Sequence, residues 1–290
     1  MNYKLPIGSW VADAVSWLEH NDHGLFDKIG KIIDACTGAI ESGLLLIPFW
    51  LLAVIFVGIG FWRLGWKFAL FCAASFLLID NMGFANQTVV TLALIFSATL
   101  ISLTLGIPFG IWAGRNDRAE AVIRPVLDFM QTMPAFVYLI PAAMFFGLGR
   151  VPGVIATVIF AMPPVVRLTS LGIRQVNKEQ VEAGIAFGCT PTQLLFKVQI
   201  PSAMANLFAG INQTIMMALS MVIIASMVGA GGLGNDVLSS ISRLDIGLGF
   251  ESGLGVVLLA IMLDRITESF GVKRKVNEQA IQSTIKKGCS

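Results

Sequence analysis

Residues 182–201, EAGIAFGCTPTQLLFKVQIP, form a polar, helix-prone loop between two long apolar runs in an otherwise greasy chain. The local signals read as a helix–turn–helix over 178–201. Glu179 and Glu182 fall early in the first helix, where carboxylates complement the positive end of the dipole. Gly188 ends that helix, and Thr190-Pro191 opens the next, with proline in the first turn where its missing N–H is tolerated. Leu194, Leu195 and Val198 give the second helix an apolar face. A membrane protein keeps so structured a segment outside the lipid when something docks on it.

The lipid assignment comes from composition. The 290 residues are 56% hydrophobic and 13% charged, with mean hydropathy +0.78. Soluble domains carry about 25% charged residues, so this chain belongs in a bilayer. A net charge of +2 gives no argument for a nucleic-acid partner. Cys36, Cys72, Cys189 and Cys289 are far apart and fit no metal or CxxC spacing, so they read as unpaired. His20 and His23 both precede the first apolar run and read as surface polar residues. Residues 1–20 contain Asp13 and Glu19 and lack the continuous apolar stretch of a secretory signal, so insertion is expected to rely on the internal spans.

A spanning helix needs about 20 mainly apolar residues. Seven candidates follow: 43–62, 64–80, 88–113, 134–149, 152–170, 204–232 and 252–270. Pro141 and Pro163-Pro164 free backbone carbonyls that neighbouring protein must satisfy, so the fourth and fifth spans are expected to face other helices. If the 178–201 loop is cytoplasmic, Arg63, Lys67, Arg115, Arg118, Arg124, Arg174, Lys178, Lys197 and the basic tail from Lys273 to Lys287 all lie inside. Beyond the first span, Arg150 and Arg243 alone lie outside. This positive-inside bias puts the N-terminus outside and the C-terminus in the cytoplasm.

The chain divides into amphipathic N-terminal helices (1–41), two peripheral spans (42–86), a transmembrane core (87–271) containing the loop, and a cytoplasmic basic tail (272–290) whose end from Glu278 is expected to fray. In the first part, Ile7, Trp10, Val11, Ala14, Val15 and Leu18, then Leu25, Ile29, Ile32, Ile33, Cys36 and Ile40, recur at helical spacing, with a break at Asn21–Gly24. Two readings stand: helices lying along the outer interface, or packing onto the spans as a scaffold.

Several motifs are decided by context. Gly229–Gly234, GAGGLG, satisfies GxGxxG, but no strand precedes it, so it reads as a backbone break at the end of a span rather than a nucleotide site. Gly106, Gly110 and Gly114 form a close-packing seam, within one subunit or between two, and Pro108 is expected to kink it. No GxxxxGK[ST], HExxH or GxSxG occurs, so the chain carries no ATP cradle, no catalytic set and no metal site. Arg167, Asp264, Arg265 and Glu268 fall near the inner ends of their spans and read as interfacial or inter-helix pairs, which argues against the alternative of an ion-coupled secondary transporter. Asn212, Gln213, Met216, Met217, Ser220 and Met221 suit a translocation path with a soft, adaptable wall, or equally a buried helix with Met as gap-filler.

The loop's order of Glu182-Ala183-Gly184, Gly188, Val198, Ile200 and Pro201 resembles the coupling loop of bacterial ABC importer permeases (Glu-Ala-Ala, three residues, Gly, nine residues, Ile-x-Leu-Pro). Gly184, Val198 and Ile200 depart from that pattern, and Gly184 is expected to loosen the helix by about 1 kcal/mol. Thr132–Tyr138, Phe160–Leu168, Asn212–Thr214 and Ala218–Val222 are similar to the permease subunit of glycine betaine/proline osmoprotectant importers. The resemblance implies an all-α, type I ABC importer permease fold that works as a homodimer with two ATP-binding cassette subunits. ATP and Mg would be bound by those partners, and this chain would hold no cofactor and would not be an enzyme. It further implies an extracytoplasmic binding protein delivering glycine betaine, proline betaine, choline or carnitine, and ATPase coupling through Glu182, Ala183, Gly184, Gly188, Val198, Ile200 and Pro201.

Overall fold

The computed structural model describes residues 7–21 and 24–288, and among these every regular element is helical. Lys4, Asp22, His23 and Cys289 lie outside the described residues, as do the side chains of the basic tail. In order, the helices are α1 (Ile7–His20), α2 (Leu25–Leu45), α3 (Phe49–Leu64), α4 (Trp66–Asn81), α5 (Ala85–Arg115), α6 (Asp117–Thr132) and α7 (Ala135–Phe146). There follow α8 (Arg150–Arg174), α9 (Lys178–Ala186), α10 (Pro191–Leu194), α11 (Ile200–Ala225), α12 (Leu233–Arg243) and α13 (Ile246–Gly288).

Four stretches are each long and apolar enough to cross a membrane: Ala85–Arg115, Arg150–Arg174, Pro191–Val228 and Ile246–Gly271. Two bent pairs raise the number to six by length and composition: α2 with α3 at 92°, and α6 with α7 at 94°. The expected seven uninterrupted runs therefore need correction in three places. The run 43–62 breaks before Pro48, which caps α3. The run 64–80 is a helix of 16 residues, about 24 Å long. The run 134–149 is a helix of 12 residues, and the segment before it, read as a plain connection, is the amphipathic α6. Pro134 caps α7 in extended backbone, and the residue before a proline is pushed out of the helical region, so the break at Met133 follows from local chemistry.

The core is a three-helix sandwich of α5, α8 and α11. The glycine seam lies within this chain, against α8. A Cβ on Gly106 would stand 2.5 Å from Val165 Cγ1, on Gly110 2.6 Å from Thr169 Cβ, and on Gly114 3.0 Å from Ile173 Cβ. The constant offset makes α5 and α8 parallel. Helix α11 runs antiparallel to α8, with Gly172 on Ala203, Gly210 on Val165 and Gly153 on Ala225. Small residues let these backbones meet, and dispersion contacts then hold helices that have no water to exclude. Helix α5 continues through Pro108 without a break; Pro163 and Pro164 are buried, as expected, whereas Pro141 in α7 is half-buried.

The hairpin of α3 and α4 turns at Gly65 (φ 96°) and shares one apolar cluster with the sandwich. Leu52, Phe76 and Ile79 meet Leu92, Ile95, Leu259 and Met262 there. Arg63 lies 4.0 Å above the Phe270 ring, pinning the hairpin to α13 by a cation–π contact. Antiparallel packing puts the 178–199 segment at one end of the sandwich, the loop end. The Gly147–Gly149 elbow and the Ser226–Gly232 turn lie at the opposite, far end.

Candidate functional site

The loop-end element is built by its own sequence. Asn177 caps α9 by accepting from the Glu179 N–H at 3.0 Å. At the other end, Gly188 adopts φ 79°, Cys189 N–H donates to Gly184 C=O at 3.0 Å and Gly188 N–H to Ile185 C=O at 2.9 Å. This is the paired-bond glycine stop of a helix, and a residue with a Cβ would be strained there. Thr190 and Gln193 then form a reciprocal capping box, with Pro191 in the first turn of α10.

The second helix does not stop before the span. It widens into a π-helical stretch, Leu195–Gln199, and runs on as α11, so Pro191–Val228 is one continuous rod. Pro201 explains the widening. It has no N–H to donate, and its ring crowds the carbonyl four residues back, which the wider turn relieves.

Gly184 is a contact rather than a weakness. It is buried, and a Cβ there would stand 2.7 Å from Leu194 Cδ1 and 3.7 Å from Val198 Cγ2. The structure thus brings Gly184 and Val198 together through Leu194 and folds α9 back on the rod. Glu182 lines a crevice of about 350 Å³ with Arg115, Arg174 and Lys178, against the ends of α5 and α8. Ala183, Gly188 and Pro201 are exposed, and Ile200 is half-buried beside Ala203 and Leu207.

Sequence reasoning missed the residues that the element presents outward. Ile185, Phe187 and Phe196 are 59%, 90% and 63% exposed. The signal was available: two phenylalanines stand in a polar segment, off the Leu194–Leu195–Val198 stripe.

Arg174 anchors the loop to the bundle. Its guanidinium pairs with Asp117 (2.6 Å) and Glu120 (2.7 Å) of α6 and donates to the Ala113 carbonyl. Two turns along α8, Arg167 pairs with Asp128 and Gln131 of α6. Glu120, Arg124, Asp128, Gln131, Arg167 and Arg174 line a cavity of about 490 Å³ together with Gln213, and Leu127, Pro164 and Leu171 form its apolar wall.

The six residues read as a path divide. Gln213 and Ser220 of α11 are exposed, and with Met227 just past its end they mark one face of the Pro191–Val228 rod at seven-residue spacing. Met217 is half-buried and accepts from Gln131 Nε2 at 3.9 Å. Asn212 and Met216 line a second cavity of about 440 Å³ with Thr267 and Glu268. Asn212 Nδ2 also donates to Asp264 at 3.0 Å, which joins α11 to α13, and Arg265 pairs with Glu268 within α13 rather than across helices. Met221 is fully buried against Leu139, Ala156 and Val228, so it packs the core and opens onto no cavity described here.

Residues 106–271, which hold the glycine seam, the loop and the α11 face, match the family model described as the inner membrane component of binding-protein-dependent transport systems. The chain is 47% identical over 272 residues to the glycine betaine transport system permease protein OpuAB of Bacillus subtilis (strain 168), covering 94% of this chain and 96% of that protein. It is 49% identical to the glycine betaine/carnitine transport permease protein GbuB of Listeria monocytogenes, covering 93% and 97%. It is 45% identical to the glycine betaine/proline betaine permease ProW of Escherichia coli, covering 92% and 75%. Its backbone is similar to a chain of the inward-facing MetNI methionine ABC transporter, with TM-score 0.61 at 18% identity, covering 66% of this chain and 95% of that one.

Proposed function

The chain belongs to the family of binding-protein-dependent transport system inner membrane components, and from that premise we propose that it is the permease of an ATP-driven importer of glycine betaine- and proline betaine-type solutes. Two copies would pair with two ATP-binding cassette subunits, which hold ATP and Mg, and with an extracytoplasmic binding protein that delivers the solute. The loop end would face the cytoplasm and the far end the outside, in keeping with the basic residues Arg115, Arg118, Arg174, Lys178 and Lys197 at the loop end.

The observation that carries the proposal is the α9–α10 element. It is a rigid elbow closed by the Gly184–Leu194 contact, continuous with the long α11 rod, and it presents Phe187 at 90% exposure. An apolar residue so exposed at the apex of a capped loop suits insertion in a cleft of another protein. Closure of the ATPase pair on ATP would push the elbow, and the rod would pass the displacement to the far end, giving alternating access. The face of Gln213, Ser220 and Met227, with the cavity beside Arg167, would serve passage and release of solute.

The test is reconstitution with the ATPase and binding-protein subunits in proteoliposomes. Uptake of radiolabelled glycine betaine that needs internal ATP and the binding protein supports the proposal. Uptake that persists without an ATPase and follows an ion gradient overturns it. Carnitine is the second substrate to test, because GbuB, at 49% identity, is named for it.

A further inference from the structure

One face of helix α2 is fully committed. Phe26, Gly30, Asp34, Gly38 and Glu41 lie along a single helical stripe. Each member of the stripe meets the end of α7 or the start of α8. Phe26 stacks on Phe145 with centroids 4.5 Å apart and meets the edge of Phe146 at 5.9 Å. A Cβ on Gly30 would stand 3.2 Å from the Phe146 ring. Arg150 Nε donates to Asp34 and its Nη1 to Glu41, both at 2.6 Å. Gly38 lies between them, where a Cβ would meet Arg150 Nη2 at 3.1 Å. Beside the stripe, Thr37 is buried and Ile33 packs on the cluster of Leu94, Ala98, Val154 and Ala230.

The elbow that α2 grips is otherwise lightly held. Gly147 (φ 75°) and Gly149 (φ 138°) have open space where a side chain would go. Gly149 N–H donates to the Val228 carbonyl at 2.7 Å, joining the elbow to the turn after α11. The next residue of that turn, Gly229 (φ 85°), closes on Gly149. Two glycine-built bends thus touch at the far end, and Arg150 ties one of them to α2.

We propose that Arg150 is a positioning residue of the far-end mouth: through Asp34 and Glu41 it fixes the elbow, and with it the Val228–Gly229 turn, to α2, which travels with the mouth as one body. The contacts are of three kinds and extend over about 22 Å of helix, which is too broad to break and remake in each cycle. The guanidinium fork reaches two carboxylates two turns apart with two charge-assisted bonds, which a lysine ammonium cannot match. Loosening this tie lets the elbow and the Val228–Gly229 turn open apart from α2, without the concerted movement that an incoming binding protein would drive. In transport terms, Arg150 keeps ATP turnover dependent on loaded binding protein.

This inference rests on the proposed ATP-driven import, and the wild-type complex tests that reading separately. Wild-type permease with its ATPase subunits in lipid nanodiscs must hydrolyse ATP faster when solute-loaded binding protein is added; if it does not, the transport reading fails. Given that stimulation, Arg150→Gln and the double variant Asp34→Asn with Glu41→Gln break the same contacts from opposite sides. Both are expected to raise hydrolysis without binding protein several-fold, leaving the maximal stimulated rate within about a factor of two, and the triple variant should go no further. Arg150→Lys should fall between. Unchanged basal hydrolysis in both variants overturns the proposal, as does an equal loss of basal and stimulated rates. Should these variants not assemble, a disulfide between Gly30→Cys and Phe146→Cys, in a chain lacking the native cysteines, decides the matter. Full stimulated turnover in the cross-linked protein supports α2 and mouth moving together, and a block that reduction relieves overturns it.

Discussion

A Cβ on Gly184 would stand 2.7 Å from Leu194 Cδ1, so the two arms of the loop-end elbow close on each other at a position with no side chain. The obstacle is the mobile end of a leucine, so Gly184→Ala should be accommodated by a small shift of Leu194. Gly184→Leu, by contrast, should force α9 off the rod. We expect uptake near wild type for the alanine variant and reduced about tenfold or more for the leucine variant, at equal membrane abundance. Equal activity in both would show that the elbow need not be closed.

Gly188 adopts φ 79° with open space around it. A bulky residue there meets no clash, but its backbone costs about 1–2 kcal/mol in the left-handed region. Gly188→Val should therefore assemble normally and uncouple ATP turnover from uptake, because strain at the stop re-aims Phe187. Normal uptake at normal abundance would count against this.

The seam between α5 and α8 predicts a stability effect instead. A Cβ on Gly110 would meet the Val166 carbonyl oxygen at 2.8 Å as well as Thr169, and backbone cannot rotate away. Gly110→Ala should lower the melting temperature by several degrees. At Gly58, where nothing lies within 4 Å, the same change should be neutral or slightly stabilising.

Asp236, in the first turn of α12, has one carboxylate oxygen buried without a partner, and desolvation raises its pKa above the usual carboxylate value. A raised folded-state pKa contributes stability that is fully present below the ordinary aspartate range and lost as pH rises through the shifted value. At neutral pH the charged form is therefore a burden. Asp236→Asn should melt higher than wild type at pH 7, with the gap shrinking as the pH falls towards the ordinary carboxylate range. Thermal unfolding across pH checks this, and a lower melting temperature for the variant at pH 7 would refute it.

What could be read from sequence was mostly local. The stop at Gly188, the start at Thr190-Pro191 and the inter-helix pairing of Arg167 each depend on near neighbours or on burial that lipid makes obligatory. The spacing of Gly106, Gly110 and Gly114 announced a seam, but its partner depended on the parallel register of α8, which no local signal carries. Helix propensity read Gly184 as a loosening, and could not show that its missing side chain makes room for Leu194, a tertiary contact. Helix α6 was missed because its charges looked like a connection, although Asn116 caps it and Asp117 and Glu120 hold Arg174. The link from Arg150 to Asp34 and Glu41 crosses more than a hundred residues, beyond the reach of any periodicity.

The account depends above all on the loop-end elbow meeting the ATPase. The most direct measurement places a photo-reactive benzoyl-phenylalanine at Phe187, and separately at Leu148, which is 82% exposed at the far end, in the complex co-expressed with its ATPase and binding-protein subunits. Irradiation in native membranes should join position 187 to the ATP-binding cassette subunit and leave position 148 without that product. Cross-linking of position 187 to lipid alone, or capture of the ATPase from position 148 instead, would contradict it.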